Sequence, residues 1–403
     1  MGKIVWIGSY VSNNNISRIQ KFGYKNPASI ISQANILEGL EVVTNSSIDT
    51  LGVLSFRGFP SDKNIFIPKL ESSHGKDARD ILAPIINIKY FNKYYSKLSL
   101  KKEVKKYFLN LDNKETTDVF IYEMRSVCLE MAKTIKRINP NIKTHLIIPD
   151  LPQFMDLREG YLKKCLKKLD WKNIQHNMKY IDDYILYTKS MAEYLKITDK
   201  KWMVMEGSIN YKEIEESVEV DLPNIEDKVV IMYSGGIKKN FKIDNLLDTM
   251  SFLDDRFELW LTGSGDFEKT VVEYAEKNNR IKYFGFLSSH DKLKQLQKRA
   301  TMLINMRDPE EEASKFCFPS KIFEYMLTGK PVVSLKLKGI PQEYFQYLIE
   351  VNSTRPEDIA IAIKKVADSD SKKRINFGMA ARDFIIKEKN NISQAKRIYQ
   401  FIR

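Results

Sequence analysis

The sequence predicts an α/β protein made of two doubly wound domains. Three observations carry this expectation. Short β-rich runs alternate with longer helical patterns along the chain, which implies βαβ units and parallel sheets. One acidic and polar stretch, residues 208–227, interrupts the alternation, which then restarts. The length of 403 residues suits two or three domains at roughly 100–200 residues each.

In the first half, Ile4–Ile7 reads as a strand followed by a polar loop from Gly8 to Asn15. Leu51–Phe56, Val119–Tyr122, His145–Ile148, Tyr184–Tyr187 and Trp202–Met205 read as further strands. Ser126–Ile138 and Ser190–Leu195 carry helical patterns between them. In the second half, Val229–Tyr233 ends in Ser234-Gly235-Gly236, and Phe257–Thr262 ends in Gly263-Ser264-Gly265. Ile281–Phe284, Met302–Asn305 and Pro331–Ser334 follow, the last two enclosing a helix that starts near Ser320. Ser371–Arg403 is helical in pattern and basic. The expected organisation is therefore a domain at 1–207, a linker at 208–227 and a domain at 228–384. A terminal helix of about 385–403 is expected to pack back on the first domain. In doubly wound folds, ligands sit outside the carboxyl ends of the strands.

Composition narrows the class. The chain is 43% hydrophobic and 29% charged, a globular balance that excludes global disorder, collagen and coiled coil. No run approaches the ~18 apolar residues of a spanning helix, and no signal-peptide pattern is read at the N-terminus. Cys128, Cys165 and Cys317 are odd in number and widely spaced, which argues against a disulfide framework. The cytoplasm is the expected compartment. The net charge of +13 is uneven. Residues 1–200 carry 32 Lys+Arg against 21 Asp+Glu, and residues 201–403 carry 33 against 31. A basic half suits an anionic membrane, a phosphorylated substrate or nucleic acid. Nucleic acid is disfavoured, because the lysines recur beside acids and no known module is present.

The most informative stretch is Phe318-Pro319-Ser320-Lys321-Ile322-Phe323-Glu324-Tyr325-Met326-Leu327-Thr328-Gly329-Lys330-Pro331. Pro319 ends a loop and Ser320 suits an N-cap, with Lys321 in the first turn. Free N–H groups and partial positive charge at a helix start favour an anion such as a diphosphate. Glu324 lies one turn on, on the same face, where a carboxylate can accept from the paired hydroxyls of a ribose. Gly329 suits the helix end and Pro331 the opening of a buried strand.

This stretch resembles the nucleotide-sugar motif of retaining glycosyltransferases of family 4, in the subset that makes bacterial capsules and exopolysaccharides. The resemblance extends to Lys338–Tyr344, Leu303–Arg307, Tyr233–Gly236, Leu261–Gly265 and Arg280–Gly285, and in the first half to Ile148–Pro152 and Met205–Gly207. It is strong over 200–365 and patchy before. It implies the GT-B fold, two facing Rossmann-like domains with a central cleft and the nucleotide sugar mainly on the C-terminal one. By the resemblance, Glu324 holds the ribose, Ser320 and Lys321 lie near the diphosphate, and Gly235 and Gly236 let the backbone approach the phosphates. Gly263 and Gly265 belong to the same donor set, and Lys238 and Lys239 could neutralise the leaving diphosphate. On the acceptor side the candidates are Gly8, Ser9, Arg125, Asp150 and Glu206.

The sequence also departs from that pattern. Relatives often carry a second Glu eight residues before the one matching Glu324, and here that position is Phe316. Glu310, Glu311 and Glu312 nearby read as a solvated acidic loop. Where relatives have His-Asp after the fourth strand, this chain has Pro149-Asp150. His145 falls inside a strand and reads as structural. No P-loop, Asp-x-Asp metal motif or Gly-x-Ser-x-Gly elbow occurs, so neither a metal nor another cofactor is expected.

The expected reaction is retaining transfer of a sugar from a nucleotide-diphosphate sugar, UDP first, to a glycan or polyprenyl-diphosphate-linked acceptor in surface polysaccharide synthesis. Asp150, Lys321 and Glu324 are the expected catalytic residues, and charge stabilisation of the diphosphate is the main electrostatic task. An epimerase of the same fold and a catalytically silent partner subunit are the alternatives. Lysines interleave with aromatic and aliphatic residues over Tyr90–Phe108 and Tyr161–Leu169. That pattern suits peripheral attachment to an anionic membrane.

Overall fold

The computed structural model describes residues 2–24, 27–111, 117–154, 161–210 and 228–403, with residues 27 and 161–164 described by backbone alone. Residues 211–227, most of the expected linker, lie outside the described residues. The chain divides into two compact units. Unit 1 holds Met1–Tyr187, Met191–Ser208 and Asn391–Arg403, and unit 2 holds Thr188–Ser190 and Ile209–Asn390.

Unit 1 starts with β1 (Lys3–Gly8), α1 (Asn13–Lys21), α2 (Pro27–Thr44) and β2 (Asp49–Gly52). Short strands follow: β3 (Phe66–Ile67), β4 (Leu70–Ser72), β5 (Asp80–Leu82) and β6 (Ile85–Ile86). Then come α3 (Asn92–Leu109), β7 (Thr117–Tyr122), α4 (Ser126–Ile138), β8 (Lys143–Ile148) and α5 (Tyr161–Asn177). β9 (Asp183–Leu186), α6 (Ser190–Tyr194) and β10 (Lys201–Val204) complete this run. Among the described residues the main sheet has eight strands in the order β10-β9-β8-β7-β1-β2-β5-β4, parallel except for β4 against β5. β3 and β6 form a separate antiparallel pair.

Unit 2 runs β11 (Val229–Ser234), α7 (Ile243–Thr249), β12 (Phe257–Thr262), α8 (Glu268–Lys277), β13 (Ile281–Tyr283) and α9 (His290–Arg299). It continues with β14 (Met302–Asn305), α10 (Lys321–Leu327), β15 (Val332–Leu335), β16 (Ile349–Val351), α11 (Pro356–Ala367) and α12 (Ser371–Glu388). Its sheet is parallel throughout, in the order β13-β12-β11-β14-β15-β16. Strand side chains alternate between faces, and the cores follow. Ile231, Leu259 and Ile304 pack with Leu246, Leu247 and Ile363. Val230, Trp260 and Leu303 pack on the other face with Ile322, Met326 and Ile385. Each fully buried Leu or Ile contributes about 1.5–3 kcal/mol.

The last helix, α13 (Asn391–Ile402), belongs to unit 1. Ala395 and Ile398 join Ile36, Leu37 and Leu40 of α2 over Trp6 and Phe120. Gly39 permits the approach, since a Cβ there would sit 2.2 Å from the Asn391 carbonyl oxygen.

Several local expectations change. The loop expected from Gly8 to Asn15 ends early, because α1 already starts at Asn13 and Asn15 is buried against Ser72 Oγ at 2.8 Å. The second strand is Asp49–Gly52 rather than Leu51–Phe56. The β3–β6 segments and β16 were not expected. Ser371–Arg403 is two helices, broken at Lys389-Asn390. The Tyr90–Phe108 pattern also divides. In α3, Leu100, Val104 and Phe108 point into unit 1, and Lys101 pairs with Glu130 at 3.1 Å. His145 ties three strands together, with Nε2 3.0 Å from Asp118 and Nδ1 2.9 Å from Asp183. Burial works against its charge, but the two carboxylates outweigh it and its pKa is raised.

Candidate functional site

A doubly wound sheet gathers side chains where its strand order reverses, outside the carboxyl ends of the strands. In unit 2 that point lies between β11 and β14. The loops after β12, β11 and β14 are neighbours there, and they carry the expected donor residues Gly263, Gly265, Gly235, Gly236, Ser320, Lys321 and Glu324.

Two loops stack at this edge. Gly263 has φ +137°, and a Cβ on it would lie 1.7 Å from the Gly235 carbonyl oxygen. A Cβ on Gly265 would lie 2.1 Å from the Ile237 carbonyl oxygen. Backbone oxygens cannot move aside as side chains do, so glycine is required at both positions. At Gly235 and Gly236 the reason is milder than a positive φ. A Cβ would crowd the Tyr233 hydroxyl at 3.0 Å or the Phe241 ring at 3.1 Å.

Helix α10 is tied to the loop after β11 by Tyr325. Its hydroxyl accepts from Ser234 N–H at 2.9 Å and donates to the Ser234 carbonyl at 2.8 Å. Gln297 Nε2 donates to Ser234 Oγ at 2.9 Å. Ser320 occupies the N-cap position, but its backbone is helical and its side chain makes no capping bond, which departs from the cap expected from sequence. Lys321 Nζ lies 2.7 Å from Glu324 Oε2, both side chains about one-third exposed. The two expected ligand groups thus hold each other one turn apart and face solvent. Gly329, at φ +70°, follows the helix end.

The cations after β11 differ in their engagements. Lys242, in the left-handed region at φ 55°, pairs with Asp308 at 3.0 Å. Lys238 lies over the Phe241 ring at 5.7 Å and Lys239 is exposed. The acidic loop is solvated at Glu310 and Glu312, as the sequence suggested, but Glu311 is half-buried. Its Oε1 accepts from Asn240 at 2.9 Å, while Oε2 is shut off from water without a hydrogen-bond partner. Glu310 and Glu312 are exposed and Phe316 is buried. A cavity of about 810 Å³ opens elsewhere on unit 2, beside Leu348, Val351, Ile361, Val366 and Phe377. It contains none of the expected donor residues, and the polar convergence stays at the strand-order reversal.

In unit 1 the order reverses between β1 and β7. Gly8 and Ser9 leave β1, and Glu123 and Arg125 leave β7. Gln33 of α2 fills the space over Gly8, where a Cβ would meet its Oε1 at 2.2 Å. Gln33 accepts from Ser9 N–H at 3.0 Å and from Trp6 Nε1 at 3.1 Å, and donates to Ser9 Oγ at 2.8 Å. Ser29 Oγ donates to Glu123 Oε1 at 2.7 Å, and Glu123 Oε2 pairs with Arg125 Nε at 2.7 Å. Arg125 also donates to Ser55 Oγ at 2.6 Å. Glu123 sits at φ +72°, a conformation uncommon outside glycine that tends to mark functional sites.

Asp150 is exposed after β8 and Glu206 is buried after β10. Both act on Tyr187, whose hydroxyl meets Ser32 Oγ at 2.9 Å. Burial raises the Tyr187 pKa first, and the two carboxylates add to it against the hydrogen bonds from Ser32 and Tyr122. The structure therefore joins Ser9 and Arg125 in one network through Ser29 and Glu123, while Asp150 and Glu206 share Tyr187 as an electrostatic neighbour. Sequence reasoning missed Gln33 and Glu123 and read Glu311 as a solvated acid, because their types are common and their partners are remote in the chain. Only the position of Glu123 right after a strand was a usable signal. Among the described residues no cluster of three His, Cys, Asp or Glu is placed to hold a metal ion.

Residues 228–369 match the family described as Glycosyl transferases group 1. No curated protein matches the chain in sequence. The trehalose-6-phosphate synthase OtsA resembles it with a TM-score of 0.69 at 10% identity, covering 100% of this chain and 99% of that one. Anabaena HepE in complex with UDP gives 0.64 at 12%, covering 99% of each chain. The sucrose-phosphate synthase of Thermosynechococcus elongatus gives 0.65 at 15%, covering 100% and 98%. At such low identity these likenesses establish the fold, two Rossmann-like α/β units of GT-B type. With a group 1 glycosyl transferase domain at 228–369 on that fold, the enzyme class of this chain is glycosyltransferase.

Proposed function

We propose that the chain is a retaining glycosyltransferase of the family 4 kind. Its donor is a nucleotide-diphosphate sugar, UDP-linked in the first instance, and its acceptor a glycan or polyprenyl-diphosphate-linked sugar of surface polysaccharide synthesis. The observation that carries the reading is Ser320, Lys321 and Glu324 on α10, bonded through Tyr325 to the Ser234-Gly235-Gly236 loop at the strand-order reversal of the group 1 domain. Support for UDP comes from the structural relatives, since HepE was solved with UDP and with UDP-glucose.

In this reading the donor's C1–O bond breaks through an oxocarbenium-like transition state and the diphosphate leaves with growing negative charge. Lys321 exchanges its bond to Glu324 for the diphosphate, which frees Glu324 to accept from the ribose hydroxyls. Ser320, Lys238 and Lys239 add donors and charge on the same side. Glu311, held by Asn240 with one oxygen shielded from water, supplies the carboxylate that Phe316 does not. Gly8, Ser9, Arg125, Asp150 and Glu206 serve the acceptor. No metal or cofactor is assigned a step.

The test is a panel of nucleotide sugars with mass-spectrometric detection of transfer or slow donor hydrolysis. Turnover of a UDP-sugar is expected, and Glu324→Ala should weaken UDP binding about tenfold or more, the loss of a charge-assisted hydrogen bond, without unfolding the protein. Glu311→Gln should lower kcat while sparing UDP affinity. Failure of every nucleotide sugar to turn over, together with no thermal shift by UDP, would overturn the reading.

A further inference from the structure

Eight of the exposed large apolar side chains of unit 1 gather in one place, while Ile31, Val42, Leu109, Leu166, Leu169 and Tyr194 lie apart from them in the chain. Phe59, Phe66, Tyr90, Phe91, Tyr94 and Leu98 are each more than 40% exposed, with Ile65 and Ile88 beside them. The backbone holds them in one neighbourhood. Phe59 bridges to Ile88, and Asn87 N–H donates to the Ile65 carbonyl at 2.6 Å. β3, which contains Phe66, pairs with β6 just before Ile88. Phe91 N–H donates back to Ile88 at 3.0 Å, and the Phe91 and Tyr94 ring centroids lie 5.8 Å apart. Leu98 follows Tyr94 by one helical turn on α3. Tyr90 is held at φ +69°, uncommon for an aromatic residue, with its side chain 60% exposed.

The charge around this patch is mostly positive, although Asp62 lies in the 59–66 segment. Residues 81–102 contain Lys89, Lys93, Lys97, Lys101 and Lys102 and no Asp or Glu. Lys93 pairs with Asp170 and Lys101 with Glu130. Lys89 and Lys97 instead lie over the rings of Tyr90 and Tyr94, at 5.3 and 5.8 Å. Apolar patches of this kind mark interaction sites. Aromatic rings ringed by lysines match the interface of an anionic bilayer, where the rings enter the headgroup boundary and the ammonium groups meet lipid phosphates. No helix among the described residues is long and apolar enough to cross a membrane, so contact here would be from one face.

We propose that the start of α3, with the 59–66 and 86–91 segments, is a docking surface for an anionic lipid bilayer. It narrows the surface suggested by sequence to the start of α3, since in the 100–108 half Leu100, Val104 and Phe108 are buried while Lys102, Lys105 and Lys106 stay exposed. It does not rest on the proposed function and would hold for any activity of this fold. The test is flotation of the full chain with phosphatidylglycerol-containing vesicles and with phosphatidylcholine vesicles. Binding to the anionic vesicles alone is expected. Phe91→Ser/Tyr94→Ser should reduce it by about tenfold or more, and Lys89→Gln/Lys97→Gln by a comparable factor. Lys269→Gln/Lys277→Gln, on exposed positions of α8, removes the same charge elsewhere and should leave binding within about twofold. Absence of binding to anionic vesicles would overturn the proposal, as would equal loss in the α8 variant. A dimer in solution that Phe91→Ser/Tyr94→Ser dissolves would also overturn it, by assigning the patch to a second copy of the chain.

Discussion

Replacing Tyr325 by Phe removes one oxygen from a fully buried position and keeps the ring. The ring packs with Ile322 and Met326, so the change leaves no cavity. What it leaves is a backbone N–H, a backbone C=O and the side-chain hydroxyl of Ser234, which bond to that phenol oxygen at 2.9, 2.8 and 3.2 Å. Ser234 Oγ keeps the bond it accepts from Gln297 but loses its acceptor, and being a rotor it can turn elsewhere, so the two backbone groups carry the cost. Burial holds the phenol pKa above its ordinary value, so the hydroxyl is protonated and donating at any working pH. A buried polar group without a partner costs about 1–3 kcal/mol. Two adjacent groups that can partly relax together should cost about 2–4 kcal/mol. Tyr325→Phe should therefore lower the unfolding free energy of unit 2 by that amount with an unchanged denaturant slope. Urea unfolding measures the loss, and amide hydrogen exchange along β11 assigns it to this sheet edge. A loss below about 0.5 kcal/mol, within the range of a surface substitution, would show that Ser234 is satisfied some other way. The described coupling of α10 to the loop after β11 would then be wrong.

Gly263→Ala should cost more than about 3 kcal/mol or prevent folding of unit 2, because its Cβ would overlap the Gly235 carbonyl oxygen; a soluble variant with unchanged melting temperature would refute the loop stacking. His74 sits between Asp80 at 2.7 Å and Glu41 at 3.0 Å. Burial alone would lower its pKa, but the two carboxylates raise it to about 9 from 6.5. The folded state binds this proton more tightly, so the contribution is complete below pH 6.5 and is lost as pH rises through about 9. The loss should be about 1–3 kcal/mol after allowance for solvent screening, and His74→Gln should flatten unit 1 stability across that window. Asp150→Asn should lower transfer to an acceptor by about tenfold or more while UDP affinity stays unchanged; a changed UDP affinity with unchanged turnover would remove Asp150 from the acceptor side.

The parts legible in the sequence are those whose signals are local. The runs at Val229, Phe257 and Met302 are apolar enough to show as strands before any packing is known, and the Pro319–Pro331 stretch marks a loop, a helix and a strand by its own punctuation. Less was legible where segments are short. β3 to β6 are two or three residues each, too brief to display an alternating period. The Asn13-Asn14-Asn15 run favours a loop by propensity, yet α1 forms there because Asn15 gains a buried partner in Ser72, 57 residues away. Glu311 reads as one of three surface acids until Asn240 is placed beside it. Nothing in the Tyr90–Phe108 pattern says that Tyr94 and Leu98 stay exposed while Leu100, Val104 and Phe108 of the same helix are buried.

The sequence by itself determined the doubly wound class, the restart of the pattern after residue 227 and the helix that bears Ser320, Lys321 and Glu324. The tertiary structure decided who meets whom. It paired Lys321 with Glu324, placed Tyr325 on Ser234 across 91 residues and Ser29 on Glu123 across 94, and returned α13 to unit 1 through the close approach at Gly39. The physical reason is range. Strand periodicity, capping and turn chemistry act over a few residues and are written in the local order. Hydrogen-bond partners and ion pairs depend on strand order, and strand order is set only when both faces of each sheet are buried.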